Sequence, residues 1–600
     1  MRPERTSPLD ARALLTSEIQ SSPYNPEFYL DRARCHEELG FADLAAGDAY
    51  KALLLTDEVR DESGEYHEQA IEALKAHRKG LEEIGDNKGY FGHAVNENVN
   101  GKTKADALSL DGYTEEATIV IEEKNEESVW EETARLYARQ CFKTLARTLL
   151  KCGCLKSAYD FSSRGLSSFP LDRKLRDIQD QILETNRQNQ LQRDPAWSPS
   201  NLNPKTDLLE QGSVRRELYP WNSHEPDRFS ESSLTFLCSE MLKVAQNCEV
   251  RAVSLPLLQE NTSSPSIIPA PTIKQLGIFT TADIAPYETV LHESSLLTAN
   301  NRLHDPLCDA CSSALPTNPS SPLPTCPDCV DIVFCSSRCQ TAALKLYHPA
   351  LCSKPDLDTL ARSPSPSAAA NALYLLLLAR AFALAFTQDT HPLDLPETKF
   401  LWGDFIPANL AYAHSSSASA FATARHLPFT FHDNILAPLH MLEKMDIDIF
   451  AEVDRCDTWV LNTLFAKFRG TASGRVSTRD GRPEVCAVHP MWSLANHSCA
   501  PNVKWEWGGE IRFEARGGDE VIKWGNGKGK ISEGGIKKGE EVLNHYCDVE
   551  LPVKERREWA MGALGGMCLC ERCVWEEGEE REGIAREGEG GGRDGKGKGK

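Results

Sequence analysis

The sequence predicts a multidomain α+β protein, and three observations predict it. Small residues recur at helical-hairpin spacing in the N-terminal third. β-Branched and apolar residues alternate through the middle, and the cysteines gather into tight clusters. A chain of 600 residues exceeds what one hydrophobic core sustains, so two to four domains are expected. The formal net charge of −22 argues against a general nucleic-acid binder, because nothing broadly basic is available to neutralise phosphates.

The helical expectation rests on two segments. Pro26 to Glu58 carries Ala33, Leu39-Gly40, Ala45 and Ala52, and Tyr137 to Asp172 repeats the frame with Ala146, Gly153, Ala158, Gly165 and Pro170. These small residues fall where two antiparallel helices must approach closely, in the spacing of a tetratricopeptide repeat. A further helix pair around His67 to Glu83 would complete the stack; a generic helical bundle is the alternative. Residues 1–186 are therefore read as a TPR-like helical domain. It contains an acidic, weakly patterned insert at about 87–132, expected to be disordered. Residues 187–260 read as a polar linker.

The strand expectation rests on "IKQLGIFTTADIAPYETVL", Ile273 to Leu291, whose alternation around turn residues marks short strands within 261–307. Ala368 to Phe386 is apolar enough for a membrane check. Arg380 would then sit in the bilayer at a cost of roughly 2.5–3.5 kcal/mol, so a buried helix within a helical stretch 353–470 is the better reading, with no membrane contact. The first ten residues, MRPERTSPLD, lack an apolar signal region, which points to cytoplasm, nucleus or both. The Glu/Gly-rich end, 576–600, cannot bury a core and is expected to be disordered.

Twenty cysteines without a secretory signal point to metal rather than disulfides. Residues 308–352 hold four ligand pairs: Cys308/Cys311, Cys326/Cys329, Cys335/Cys339 and His348/Cys352. Such spacings let a turn or a first helical turn present two ligands to one Zn²⁺, and eight ligands make two closed tetrahedral sites. Zinc would then supply much of the folding energy of a small loop-rich module. Further on, Cys568, Cys570 and Cys573 leave a structural zinc one ligand short. Cys499 is a candidate for the fourth position; by chemistry alone so are Cys486, Cys547 and His545.

The first cluster resembles the MYND zinc finger at every ligand. That resemblance implies an interleaved pairing, with Cys308, Cys311, Cys335 and Cys339 on one zinc and Cys326, Cys329, His348 and Cys352 on the other. "NHSCAPN" (Asn496 to Asn502), "GEEVLNHYCD" (Gly539 to Asp548) and "CLCERC" (Cys568 to Cys573) are similar to a SET domain, 471–550, with its post-SET zinc segment, 551–575. The whole resembles the SET-and-MYND protein-lysine methyltransferases, with a β-rich SET domain split by the inserted finger.

The resemblance implies S-adenosylmethionine as cofactor and three zinc ions. It implies that Asn496 and the backbone of His497 hold the adenine end, that Cys499 completes the third zinc, and that Tyr546 is catalytic and borders the cofactor. Lys274, Gln275, Leu276 and Gly277 would lie on a cofactor-binding loop, and Asn462 would border the cofactor or lysine channel. The implied partners are a protein substrate with a target lysine and peptides docking on the finger and the helical repeats. The alternative is an adaptor in which finger and repeats recruit proteins around an inactive core. Taken singly, Tyr546 is an ordinary strand tyrosine and His497 a loop histidine; their motif neighbours carry the reading. A Cys499/His497 nucleophilic dyad lacks an orienting third residue.

Three departures stand out. Gln275 occupies the first position of a customary Gly-x-Gly. A Gly- and Lys-rich insertion spans Gly517 to Gly535. Leu564-Gly565-Gly566 replaces the aromatic residues expected before the last cysteines, with Trp559 the nearest substitute.

Overall fold

The computed structural model describes residues 7–83, 126–195, 202–215 apart from 205, 218–256, 272–300, 306–354 apart from 320, 330 and 331, 366–401, 426–525 apart from 478, and 533–590 apart from 565, with positions 197, 258 and 357. It is mixed helix and sheet, in two compact units. One comprises Met1–Arg215 and His426–Asn462; the other comprises Arg216–Arg425 and Thr463–Lys600.

The first unit is built on α1 (Pro8–Ser21), α2 (Pro26–Glu38), α3 (Ala42–Arg60), α4 (His67–Glu83), α5 (Glu126–Cys152), α6 (Leu155–Ser168) and α7 (Arg173–Arg193). Ser7, Asn25 and Asp172 cap α1, α2 and α7 by accepting backbone N–H groups, as short polar side chains do at helix starts. Gly40 and Gly153 turn the chain between hairpin helices at φ of 85° and 83°, a conformation that disfavours a Cβ. The predicted small residues are where the helices meet. Ala33, Ala45, Ala52, Ala146 and Ala158 are wholly buried. A Cβ on Gly165 would lie 2.8 Å from Leu175 and 2.9 Å from Phe142.

This unit also buries charge. Arg32, fully buried, binds Asp48 through two nitrogens (2.9 and 2.6 Å) and Asp457 at 3.0 Å. Lys51 donates to the carbonyls of Ile449 and Cys456, each at 3.3 Å. Leaving one partner of such a buried pair alone costs about 3–5 kcal/mol. These ties explain a correction: 426–462, expected within a helical stretch 353–470 of the other domain, packs with the N-terminal helices instead.

Ten strands are described: β1 (Gly212–Arg215), β2 (Cys248–Pro256), β3 (Thr272–Thr280), β4 (Thr289–Ser294), β5 (Thr298–Asn300), β6 (His426–Phe429), β7 (Ser473–Val476), β8 (Pro483–Ala487), β9 (Val503–Trp507) and β10 (Glu510–Ala515). All named pairings are antiparallel: β1 with β6 in the first unit, then β2–β3, β4–β10–β9 and β5–β8–β7 in the second. The core of the second unit joins Leu276, Ile278, Leu291, Trp492, Val503, Ile511, Phe513 and Val542.

Three further boundaries differ from expectation. The supposed linker 187–260 contains the end of α7, the helix α8 (Glu231–Val244) and all of β2. Ser230 caps α8, and Leu237 and Met241 bury its inner face, a short pattern that polar flanks obscure. The end of the supposed insert is already helical, since α5 begins at Glu126; residues 84–125 lie outside the described residues. Beyond Glu571 a helix runs to Gly590, where disorder was expected from 576. Its first turns are held by Arg572–Glu576, Arg556–Glu576 and Arg557–Glu577 ion pairs, contacts invisible to composition; 591–600 lie outside the described residues.

Among the described residues one helix, Ala369–Thr387, is long and apolar enough to cross a membrane, and 72% of its most apolar window is buried within the protein. Its Arg380 donates to the Asp309 carbonyl at 2.9 Å and stacks over Tyr347, 3.7 Å from the ring centre. The arginine that argued against a bilayer thus braces the cysteine-rich module.

Candidate metal centres and cofactor loops

Residues 308–352 form little regular structure beyond α9 (Ser337–Leu346), which Ser336 caps. Two sets of ligand atoms converge there: Cys308, Cys311, Cys335 and Cys339, and Cys326, Cys329, His348 and Cys352. This is the expected interleaving. A Zn–S bond of about 2.3 Å sets a tetrahedral S···S edge of about 3.8 Å. The sulfurs lie at such spacings: Cys311–Cys335 3.7 Å, Cys335–Cys339 3.5 Å, Cys326–Cys352 3.8 Å and Cys329–Cys352 3.6 Å. His348 Nε2 is 3.1 Å from Cys326 Sγ. Donor type and spacing fit zinc in both sets.

A third set gathers Cys499, Cys568, Cys570 and Cys573, with Cys499 and Cys573 sulfurs 3.4 Å apart. Of the fourth-ligand candidates left open, the structure brings Cys499 into this set. Cys547 adjoins it within a second, overlapping group of His497, Cys499 and Cys547, while Cys486 lies in β8. Arginines surround the set. Arg572 donates to the carbonyls of Cys499 (2.8 Å) and Val549 (2.9 Å), Arg557 to that of Cys568 (3.0 Å), and Arg556 to the sulfur of Cys573 (3.6 Å). Four thiolates around a divalent ion leave two negative charges, which guanidinium groups offset.

The loop carrying Cys499 is braided with the loop carrying Tyr546. His497 and Asn544 form a parallel bridge, with Asn544 N donating to Asn496 O and Ser498 N to Asn544 O, both at 2.8 Å. Tyr546 N donates to His497 Nδ1 at 3.0 Å, so the imidazole proton sits on Nε2 and points to Cys499 Sγ at 3.3 Å. Burial pushes His497 down to about 4, which keeps that tautomer neutral. The Tyr546 hydroxyl donates to Ala495 O at 2.7 Å; burial and then Glu541 hold its pKa above the usual phenol value, so it stays a phenol.

Asn496 reaches in the other direction. Its amide donates to Leu276 O at 3.0 Å and to Glu541 Oε1 at 2.7 Å. Leu276 and Gly277 are thereby brought beside the motif. A Cβ on Gly277 would lie 2.5 Å from Glu541 Oε1 and 3.0 Å from Asn496 Nδ2, so a larger residue there would push the Glu541 carboxylate off the Asn496 amide. None of Lys274, Gln275, Leu276 and Gly277 is on a loop: all four lie inside β3, facing Ser254, Val253, Ala252 and Arg251 of β2. Extended backbone at Gln275 makes no demand for glycine, so that departure has no conformational penalty. Lys274 Nζ lies 5.3 Å from the Phe229 ring centre.

Asn462 takes a structural place in the helical unit, where its amide donates to Asp43 Oδ2 at 2.8 Å. Trp559, the proposed substitute aromatic, is 62% exposed on its helix, and Gly565 lies outside the described residues. A different aromatic pair forms just after the last cysteine, Trp575 with Trp524 of the Gly- and Lys-rich insertion, ring centres 6.1 Å apart.

Sequence reasoning missed four residues that organise the loops. Glu541 is half-buried and accepts a hydrogen bond from the Asn496 amide. Asn502 ties Glu541 O and Leu543 N, both at 2.8 Å. Glu293 accepts the backbone N–H groups of Met491 and Trp492 at 3.0 and 2.8 Å, fixing the turn that leads into the motif. Asn544 is fully buried with its Nδ2 unpartnered among the described residues. Asn502, Asn544 and Glu541 carried a local signal, as polar residues inside otherwise recognisable motifs; Glu293 did not.

A cleft of about 680 Å³ lies elsewhere, between α9 with its cysteines and one face of the β4–β10–β9 sheet. Arg338, Arg512, His292, Glu506 and Glu510 line it, and none of the residues expected at the cofactor does.

No family model matches the chain. A stretch of 88 residues is 39% identical to the histone-lysine N-methyltransferase ATXR2 of Arabidopsis thaliana, covering 15% of this chain and 16% of that protein. A stretch of 98 residues is 30% identical to a SET and MYND domain-containing protein of Dictyostelium discoideum, 16% of each chain. The chain thus matches only 16% of the length of these curated relatives, a partial similarity to proteins named for lysine methyl transfer and for SET and MYND domains.

Proposed function

We propose that this chain is a protein-lysine N-methyltransferase that uses S-adenosylmethionine, with three structural zinc ions. The observation that carries the reading is the braid of Asn496–Cys499 with Asn544–Cys547 beside Gly277, pinned by Cys499 to the last cysteine cluster. Partial similarity to one protein named for that activity and to another named for SET and MYND domains supports it. The loops suit a polar cofactor: among the described residues Asn544 Nδ2 is a buried donor without a partner, and Gly277 carries no side chain beside Asn496 and Glu541. Asn496, His497, Leu276 and Gly277 are the residues we assign to holding it.

When bound, S-adenosylmethionine would supply an electrophilic methyl group, with a neutral lysine amine forming the N–C bond as the C–S bond breaks and the thioether leaves. Positive charge leaves sulfur as it forms on nitrogen, so the protein's contribution is alignment rather than a strong base. Tyr546, kept as a phenol, offers a fixed dipole without a full charge. The attacking lysine amine must be neutral, a form that desolvation favours. The methylated product keeps its charge. Neutral His497 and the Ala495 carbonyl hold the tyrosine in place from both ends.

The test is transfer of labelled methyl groups from S-adenosylmethionine to a protein panel by the purified full chain. We expect label on lysine, and a fall of at least about 100-fold in Tyr546→Phe with zinc content unchanged. The absence of both transfer and cofactor binding would overturn the proposal; binding without transfer would favour the adaptor reading.

A further inference from the structure

Each cysteine-rich set offers four ligands, but the third has a fifth sulfur beside it. Cys547 Sγ, Cys499 Sγ and a His497 nitrogen lie within 4.8 Å of one another. Cys547 is outside the four-sulfur set, so its distinctive neighbour is Cys499. Among the described residues neither set in 308–352 has such a spare thiol. Both sulfurs are buried, Cys547 at 4% exposure and Cys499 at 0%, within a small cluster that includes Val553, Ala560, Cys568 and Cys573. Cys547 directly follows Tyr546, on a loop held by the isolated bridge at Asn544 rather than by a strand ladder. Such a loop can move the few ångströms that separate the present spacing from an S–S bond of about 2.05 Å.

We propose that Cys547 is an oxidation site whose product is a Cys499–Cys547 disulfide, formed by a peroxide at the expense of the third zinc. The inference rests on the zinc assignment made under the proposed function. Cys547 sulfur attacks one peroxide oxygen; the S–O bond forms, the O–O bond breaks, and water leaves with the thiol proton. Cys499 sulfur then attacks the sulfenic sulfur. The S–S bond forms, the S–O bond breaks, and hydroxide leaves, taking a proton from solvent. Two electrons pass from the two sulfurs to the peroxide. Cys568, Cys570 and Cys573 are left as three thiolates, one short of a closed structural site, and Zn²⁺ is released. The sets in 308–352 are the internal control, because oxidation there must consume a ligand without a waiting thiol.

The experiment titrates the zinc-loaded full chain with hydrogen peroxide, following released zinc with a chromogenic chelator and mapping disulfides by mass spectrometry without reduction. Expected are three zincs per chain at the start, the first equivalent released together with a peptide linking Cys499 to Cys547, and at least tenfold slower release of that equivalent in Cys547→Ser. Three zincs at the start with equal release from Cys547→Ser, or a first disulfide joining Cys499 to Cys568, Cys570 or Cys573, would overturn the inference and leave the zinc assignment standing. Two zincs at the start would overturn the zinc assignment and the inference with it. The wild-type disulfide map decides the matter even if Cys547→Ser fails to fold.

Discussion

The module 308–352 and the loops around Cys499 both collect soft ligands for zinc, but they do so over different lengths of chain. In the module every ligand has its partner three or four residues away, and the pairs close on one another within a single short segment. Around Cys499, one sulfur meets another 74 positions later, and the same loop exchanges backbone hydrogen bonds with Asn544 and side-chain bonds with Leu276. A site of the first kind can fail alone. A site of the second kind takes its neighbours with it, because removing Cys499 frees the loop that positions His497 and Tyr546.

The largest expected contrast tests that difference. Cys499→Ser should lower zinc from three to two per chain and weaken S-adenosylmethionine binding by roughly 100-fold. Elemental analysis and calorimetric titration on one preparation read both. His489, just upstream, is buried with both ring nitrogens unpartnered among the described residues and is pushed down to about 3 by burial. Between that value and the unfolded value of about 6.5 the unfolded chain binds the extra proton. Stability is therefore full above pH 6.5 and falls on acidification by up to about 1.4 kcal/mol per pH unit. His489→Leu should flatten that slope in urea melts at pH 7, 6 and 5.

Smaller effects follow. Gly277→Ala places a Cβ 2.5 Å from Glu541 Oε1 and should destabilise by about 1–3 kcal/mol, with weaker cofactor binding; the denaturation midpoint measures it. Tyr546→Phe removes one hydrogen bond to Ala495 and should cost only about 0.5–1.5 kcal/mol of stability, far less than its effect on methyl transfer. Smallest is Cys326→Ser, which should also lose one zinc yet leave cofactor affinity within about threefold. An affinity loss matching that of Cys499→Ser would erase the contrast between the two regions.

What the sequence made legible follows the same division. The cysteine pairs of the module were readable because ligand spacing is a local property, whereas their interleaving was implied only by the resemblance to the MYND finger. The small-residue frame of α2–α3 and α5–α6 was readable because helical periodicity is local as well. The roles of Glu541 and Glu293 were not, since a carboxylate recruited by a distant amide or by two backbone N–H groups has no spacing of its own. The placement of 426–462 was hidden for the same reason: Lys51 and Arg32 bind it across nearly four hundred residues or more. Lys274, Gln275, Leu276 and Gly277 were misplaced onto a loop because β2, their partner strand, sits in a stretch whose polar flanks read as linker.

The most direct measurement is calorimetric titration of S-adenosylmethionine into the intact zinc-loaded chain and into Asn496→Ala. One site per chain in the wild type, weakened at least about tenfold in the variant, is the result expected if the braided loops hold the cofactor. No binding to the wild type, or equal binding to both proteins, would contradict it.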